Sequence, residues 1–145
     1  MAFMYTHAHY RLGRGLLDFA SADLRVALVM VGNTAATEMN ASRMSSFTVL
    51  AELNSTAGYA RKSATAGLTY VEDSTYHLGR LTLPNLTWTG LTSGTGQVAG
   101  AILYHHVDGT ASNQIPVAWY DDGMPQNPDG NDFFFQNTTR GALLI

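Results

Sequence analysis

The chain has 145 residues, a length that suits one domain with its own hydrophobic core. Apolar residues make up 46% of it and charged residues only 13%, about half the share that is usual in a globular domain. The net charge of -3 and the single lysine, Lys62, leave no basic run that could follow a phosphate backbone, so we expect no nucleic-acid partner. The absence of cysteine excludes a disulfide framework, a cysteine-ligated zinc site and thiol catalysis.

Residues 1–22 are predicted to form an N-terminal arm or a short helix, ahead of one β domain over residues 23–145. Both a helix over residues 3–12 and an extended arm fit the mixture of aromatic, His and Arg residues there, and Gly13 and Gly15 interrupt any helix. The apolar side chains of this segment need a cover, so we expect it to pack on its own domain or on a neighbour. No run approaches the roughly 18 apolar residues of a membrane span, and the N-terminus lacks the order of a signal peptide, so no membrane partner is expected.

The run DLRVALVMVG, residues 23–32, is the clearest predicted strand. Its alternating side chains are apolar on both faces, which is typical of a central strand covered on two sides. The run FTVLAEL, residues 47–53, has Phe47, Leu50 and Ala51 at helical spacing, with Ser45 or Ser46 as a cap. We therefore predict a short helix there.

The pattern from Gly58 onward predicts β structure, with turn residues between short strands. The expected strands are YHLGRLTL, NLTWTGL, QVAGAILYHH, QIPVAWYD and one or two within DFFFQNTTRGALLI. In the last of these, Phe133 and Phe135 share a face and Phe134 lies opposite. The sequence thus predicts an all-β (mainly β) single-domain β-sandwich or β-barrel with a short helix and an N-terminal arm.

Two histidines and three aspartates in residues 101–122 suggest an active site or a metal site. His105 and His106 are adjacent in a predicted strand, however, so they lie on opposite faces and cannot chelate one metal ion. Asp121 and Asp122 are also adjacent, so they too would lie on opposite faces and could not chelate one metal ion. One His–Asp pair across the hairpin offers neither three zinc ligands nor a nucleophile, so we predict strand ends that meet a solvent-facing turn.

Other candidate ion sites are equally incomplete. His7 and His9 share a face only if their segment is extended, and two ligands make a weak metal site. The loop from Asp121 to Asp132 has carboxylates suited to calcium, but its order does not match the twelve-residue helix-loop-helix signature, and turn chemistry explains it without an ion. No nucleophile, base and orienting group can be named together. We therefore predict no enzyme, no catalytic residues, no metal and no cofactor.

Large aromatic side chains leave one binding function open. A carbohydrate-binding β-sandwich module uses exposed aromatic rings, and Trp88, Trp119 or Tyr120 would serve in this chain. Aromatic residues that alternate in strands are more often core residues or cross-strand pairs.

Six segments occur in an order that resembles a family of small virion proteins of tailed bacteriophages: DLRVALV (23–29), AGYAR (57–61), LPNLTWTGL (83–91), AGAILYHH (99–106), IPVAWYDDG (115–123) and TRGALLI (139–145). The match covers roughly residues 20–145, and the order and spacing of the segments carry it. The region between Val31 and Thr56 departs from the family pattern, which is richer in acidic residues there.

The resemblance implies a mainly β structural protein of the virion, without catalysis. The leading hypothesis is a head decoration (cement) protein that binds the major capsid protein on the outer capsid surface and can self-associate as a trimer. A tail, connector or fibre-base component is the alternative within the virion. Aromatic and Arg residues dominate interface energetics, so the partner-binding residues expected in the N-terminal segment are Phe3, Tyr5, Tyr10 and Arg11.

Overall fold

The computed structural model describes residues 2–53, 58–92 and 96–136 with their side chains, and the backbone of Leu143–Leu144. The elements in chain order are β1 (Ala2–Met4), α1 (Thr6–Gly13), β2 (Leu24–Met30), a 3-10 turn (Met44–Ser46), β3 (Lys62–Ser63), β4 (Thr69–Asp73), β5 (Leu78–Thr82), β6 (Leu86–Trp88), β7 (Val98–His105), β8 (Ile115–Tyr120), β9 (Phe133–Phe135) and β10 (Leu143–Leu144). The prediction of a mainly β fold is confirmed. Across the described ranges, no helix has the length and apolarity needed to cross a membrane.

An antiparallel five-stranded sheet in the order β1-β8-β7-β2-β3 forms the centre of the domain. It is open, with β1 and β3 at its edges, so it is not a closed barrel. Separate sheets of three strands (β10-β5-β4) and two strands (β6-β9) complete the fold. The strand predicted at residues 23–32 is β2, and it is an interior strand of the main sheet, as its apolar pattern indicated.

The helix predicted at residues 47–53 is wrong. Phe47 follows the 3-10 turn in an extended conformation, and Ala51 has a positive φ of 51° that interrupts any helix. Residues 51–53 instead run antiparallel along β2, where Glu52 bridges Val29 and the amide of Leu53 donates to the carbonyl of Leu28 at 3.1 Å. The unpaired edge of β2 beyond β3 needs backbone partners, and this requirement overrides the local helical spacing.

The two faces of the main sheet are buried against different parts of the chain. Leu24, Val26 and Leu28 of β2 lie in the larger core, together with side chains from β1, α1 and the small sheets. Ala27 and Val29 point to the other face, into a second core that residues 35–50 cover. All five of these side chains are fully buried, as expected for a strand between two covers.

The N-terminal residues belong to this same folded unit. The two alternatives predicted for this segment, an extended arm and a short helix, each occur in part. The strand β1 pairs with β8, and the next residues form α1, which ends at Gly13. Phe3 is the register partner of Trp119. Residues 2–13 therefore complete an edge of the main sheet and pack on their own domain.

Gly100 makes room for the largest side chain of the second core. The indole of Trp119 lies against the backbone of β7, and a Cβ added at Gly100 would stand 2.4 Å from its Cζ2 atom and 2.7 Å from the carbonyl oxygen of Tyr120. Both neighbours are held in place, the first by burial and the second by the strand. A side chain at position 100 therefore cannot be accommodated without moving β8.

The variant Gly100→Ala is expected to lower the free energy of unfolding by about 2–3 kcal/mol, because the added methyl overpacks the sheet. Urea unfolding followed by tryptophan fluorescence measures the change. Gly109→Ala is the matched control, since nothing lies within 4 Å of a Cβ at that turn position. Equal stability of the Gly100 variant and the wild type would show that the contact with Trp119 is not restrictive.

Glu38 anchors the loop that covers the second core. Its carboxylate accepts hydrogen bonds from the Thr34 hydroxyl at 2.6 Å, from the Thr48 backbone amide at 2.8 Å and from the Thr48 hydroxyl. The hydrogen bond from Thr34 and those from Thr48 hold the pKa of this carboxyl below its ordinary value of 4.5. One charged side chain thus joins the two halves of the cover.

Stability should depend on pH through Glu38. Because its pKa is lowered by folding, the folded chain binds the proton less tightly than the unfolded chain, so the stabilisation is present above pH 4.5 and is lost as the pH falls through the folded-state pKa. Glu38→Gln should therefore be less stable than the wild type at neutral pH and equally stable in acid, in urea titrations at several pH values. Glu72→Gln is the control, because that carboxylate accepts no hydrogen bond within the described residues. A difference that persists unchanged in acid would contradict this role.

Candidate interaction surface

The histidines of residues 101–122 lie at the end of β7, and Asp108 lies in the turn that follows it. His105 is the last residue of β7 and His106 follows it, so the strand period places their side chains on opposite faces; the centroid of the His106 ring lies 6.2 Å from that of Tyr104. Burial, with the nearby Arg11 guanidinium, lowers the pKa of His105 and favours its neutral form. No group of three or more His, Asp or Glu side chains within the described ranges is placed to hold a metal ion.

Asp108 builds the turn that follows these histidines. It accepts hydrogen bonds from the Thr110 amide and the Asn113 side chain, both at 2.7 Å, and these lower the pKa of its carboxyl. Its carbonyl oxygen also accepts a hydrogen bond from the buried side chain of Gln114 at 2.9 Å. The turn chemistry expected here therefore accounts for the aspartate without any ligand.

The four predicted partner-binding residues have different environments. Tyr5 was expected as an anchor, but it is fully buried, and its hydroxyl donates to the carbonyl of Ala35 at 3.0 Å, so it belongs to the core. Phe3 is half-buried against the Tyr5 ring, 5.2 Å between centroids. Arg11 is also half-buried and donates to the carbonyl of Leu16. Tyr10 alone of the four is largely exposed, at 55%.

The aromatic residues considered for sugar binding are unavailable for that role. Trp88, Trp119 and Tyr120 are each at most 3% exposed. The Trp88 indole nitrogen donates to the carbonyl of Ala60 at 2.7 Å, which fixes the ring in the larger core. A ring in this position cannot stack on a solvent-borne sugar, so the carbohydrate hypothesis fails for these residues.

A largely buried ion pair at the β2 edge is structural. Arg61 donates two hydrogen bonds to the Glu52 carboxylate, at 2.6 and 2.7 Å, and a third to Gln114 at 2.6 Å. Tyr59 donates to the same carboxylate at 2.7 Å, and its oxygen accepts the Leu28 amide at 3.1 Å. Every polar atom of this cluster is directed at another part of the fold. The cluster therefore connects the start of β8 with residues 51–53 and with β3, the two segments that pair with β2.

The variant Arg61→Met is expected to lower the free energy of unfolding by about 2–3 kcal/mol, because it leaves the Glu52 carboxylate buried without its cation. Arg25→Met is the matched control. Arg25 also pairs with a carboxylate, Asp23 at 2.9 Å, but both of those side chains are more than a third exposed, so a clearly smaller loss is expected. Equal losses in the two variants, measured by urea unfolding, would refute a special role for the Arg61 pair.

The β4–β5 hairpin carries the most concentrated group of exposed apolar side chains among the described residues. Tyr70, Val71, Tyr76 and Leu78 are 46%, 51%, 62% and 37% exposed, and we call this set the hairpin surface. Residues 69–72 of β4 are exposed on both faces of the strand, and β4 is the edge of its sheet. The outer edge of β4 and most of both its faces are therefore left uncovered by the described parts of the chain.

The Tyr70 ring stands between two hollows. One, of about 300 Å³, is lined by apolar side chains from the end of α1 and the following loop, including Phe19, whose ring centroid lies 5.1 Å from that of Tyr70. The other, of about 540 Å³, lies beside Val71 and Leu78. Both hollows adjoin Tyr70; the first is mainly apolar, whereas the second is also lined by Glu72 and His77.

The hairpin is held in shape by its own contacts. The Tyr70 ring covers Gly79 on the neighbouring strand, where a Cβ would lie 2.3 Å from the Tyr70 hydroxyl. Asp73 forms an ion pair with Arg80 and accepts a hydrogen bond from the Thr75 amide at 3.0 Å. The surface is therefore preformed, which lowers the entropy lost when a partner binds.

A third open hollow, of about 700 Å³, is lined by residues 122–129 and by residues 132–136. Phe134 contributes an exposed ring to it, at 53%, while Phe133 and Phe135 face the core. This alternation was predicted from the strand period, but the hollow was not, because it depends on how the preceding loop folds back.

Comparisons with models of protein families, with curated proteins and with solved structures found no match. Any assignment of function therefore depends on the residues and surfaces described above.

Proposed function

We propose that this protein is a structural component of a tailed-bacteriophage virion that binds the outer surface of the assembled head as a decoration protein. The observation that carries the proposal is the hairpin surface, a rigid apolar edge that no described part of the chain covers. Exposed apolar groups concentrated in this way are characteristic of protein contact sites. The resemblance predicted from the sequence, between residues 20–145 and small virion proteins, supports the same function and stays a prediction.

The rest of the surface suits a protein that stays docked. Charged residues are few, and the described ion pairs and carboxylates are used in turns, loop anchors and the β2 edge. No described cluster brings a nucleophile, a base and an orienting group together. The ion pairs and hydrogen bonds described above are thus accounted for by folding, and the hairpin surface is left for a partner.

Such a protein stabilises the shell by mass action. It binds the major capsid protein in the assembled lattice and not in the dissociated state, so its binding free energy adds to the cost of separating subunits. Contacts with two capsid subunits at once make this effect stronger, because the second contact forms at high effective concentration. Stability of the shell then rises without any chemical step.

Replacing exposed hairpin residues tests the contact surface. Val71→Thr and Tyr76→Ser should each weaken binding to empty shells of the parent virus at least about tenfold, because an interface anchor is lost. Co-sedimentation at increasing protein concentration measures the affinity. Val107→Thr is the matched control: Val107 is 56% exposed in the turn before β8, outside the hairpin surface, and this variant should bind like the wild type. Unchanged binding of both hairpin variants would reject this surface.

Protein identification in purified particles tests the function itself. The chain should be found in intact virions and in isolated heads, and be absent from isolated tails. Its absence from virions would reject the proposal whatever the behaviour of the hairpin variants.

A tail or connector component is the second candidate, and the exposed edge of the β4–β5 hairpin favours it, since ring-forming virion proteins often contact their neighbours through hairpin arms. Native mass spectrometry separates the two. A monomer or trimer supports the decoration protein, whereas a ring of six or more subunits supports the tail or connector.

A further inference from the structure

We propose that the hollow beside Phe134 is a binding site for neutral carbohydrate. The site is distinct from the hairpin surface, and it does not depend on the proposed virion function. It is formed by the loop of residues 122–129 on one side and by residues 132–136 on the other, and we call it the Phe134 hollow.

Phe134 supplies the apolar platform. The side chains on either side of it in β9, Phe133 and Phe135, are buried in the larger core, so they fix the strand and hold the Phe134 ring outward. Its cross-strand partner on β6 is Thr87, which is too short to cover a phenyl ring. An exposed ring on a rigid strand is a surface onto which the C–H face of a pyranose can stack.

Planar polar side chains surround this platform. The side chains of Asn127 and Gln136 are exposed, and the described structure gives them no hydrogen-bond partner. Each amide offers both a donor and an acceptor, which is what a sugar hydroxyl requires. A ring flanked by free amides therefore presents the two kinds of contact that a pyranose makes.

The carboxylates of the hollow are already oriented. Asp132 accepts the Gly90 amide at 3.1 Å through Oδ1, which leaves Oδ2 for another donor. Asp129 accepts the amide of Asn131 at 3.0 Å and its side chain at 3.1 Å, and each carboxylate oxygen retains a second lone pair. Polar groups fixed in this way lose little entropy when they bind hydroxyls.

The charge of the hollow selects the class of sugar. Asp129 and Asp132 line it, and among the described residues no Lys, Arg or His does. Phosphates, sulfates and acidic sugars are therefore disfavoured by repulsion. A metal ion is not the expected ligand, because no described group of three His, Asp or Glu side chains can hold one. The volume of about 700 Å³ lies within the range of small-ligand sites and leaves room for more than one sugar ring.

Titration of the protein with neutral trisaccharides tests the site. The probes are maltotriose, cellotriose and chitotriose, with sialyllactose as the charged comparison, and amide correlation spectra report the residues affected. We expect saturable shifts of amides in residues 122–136 with at least one neutral probe. No saturable shift with any neutral probe at up to about 20 mM, or shifts with sialyllactose alone, would overturn the proposal, since useful lectin-type sites bind within that range.

Variants separate stacking from nonspecific contact. Phe134→Ala should weaken binding of the responding probe roughly tenfold, the loss of one stacking contact, and Phe134→Tyr should restore it. The same spectra show whether each variant is folded, which is expected because Phe134 is exposed. Tyr76→Ser removes an exposed aromatic ring elsewhere and should leave binding unchanged. Equal affinity of Phe134→Ala and the wild type, or equal losses in Phe134→Ala and Tyr76→Ser, would reject the site.

Discussion

The main sheet is apolar on both of its faces, and the organisation of the rest of the chain follows from this constraint. In β2, Val26 and Ala27 are successive residues on opposite faces, and both are fully buried. A sheet of this kind needs a cover on each side. The chain provides one from the loop after β2 and the other from α1 and the two small sheets, and the loop cover is fastened by the Glu38 carboxylate rather than by a regular ladder. Loops and small sheets surround the main sheet, and these carry both candidate binding surfaces.

The sequence predicted the parts of the fold that are set by local alternation. The interior position of β2 could be inferred because both of its faces are apolar, and the orientation of Phe134 could be inferred because its neighbours share the opposite face. The segment at residues 47–53 could not, since its spacing fits a helix and only the unpaired edge of β2 makes it extended. The pairing of Phe3 with Trp119 was likewise beyond local analysis, because register between distant segments leaves no periodic signal.

The candidate surfaces were harder to predict than the fold. Tyr5 has the composition of an interface anchor, and nothing near it in the sequence shows that its hydroxyl meets the carbonyl of Ala35 thirty residues later. Tyr70 is the opposite case. Its segment shows the sequence pattern of one more strand, and its side chain is exposed because the described chain adds no strand beyond β4. Apolar residues at functional and structural positions look alike in sequence, and topology decides between them.

The antiparallel pairing of β1 with β8 has a consequence for biosynthesis. The ribosome releases residues 2–4 long before residues 118–120, so the outer edge of β8 and its N-terminal partner cannot meet until most of the polypeptide has been made. Until then Tyr5 has no finished core to enter, and the nascent chain displays aromatic rings of the kind that chaperones retain. A translation product that stops in the loop before β8 lacks β8, β9 and β10 and keeps that exposed state, so quality control can tell truncated copies from complete ones.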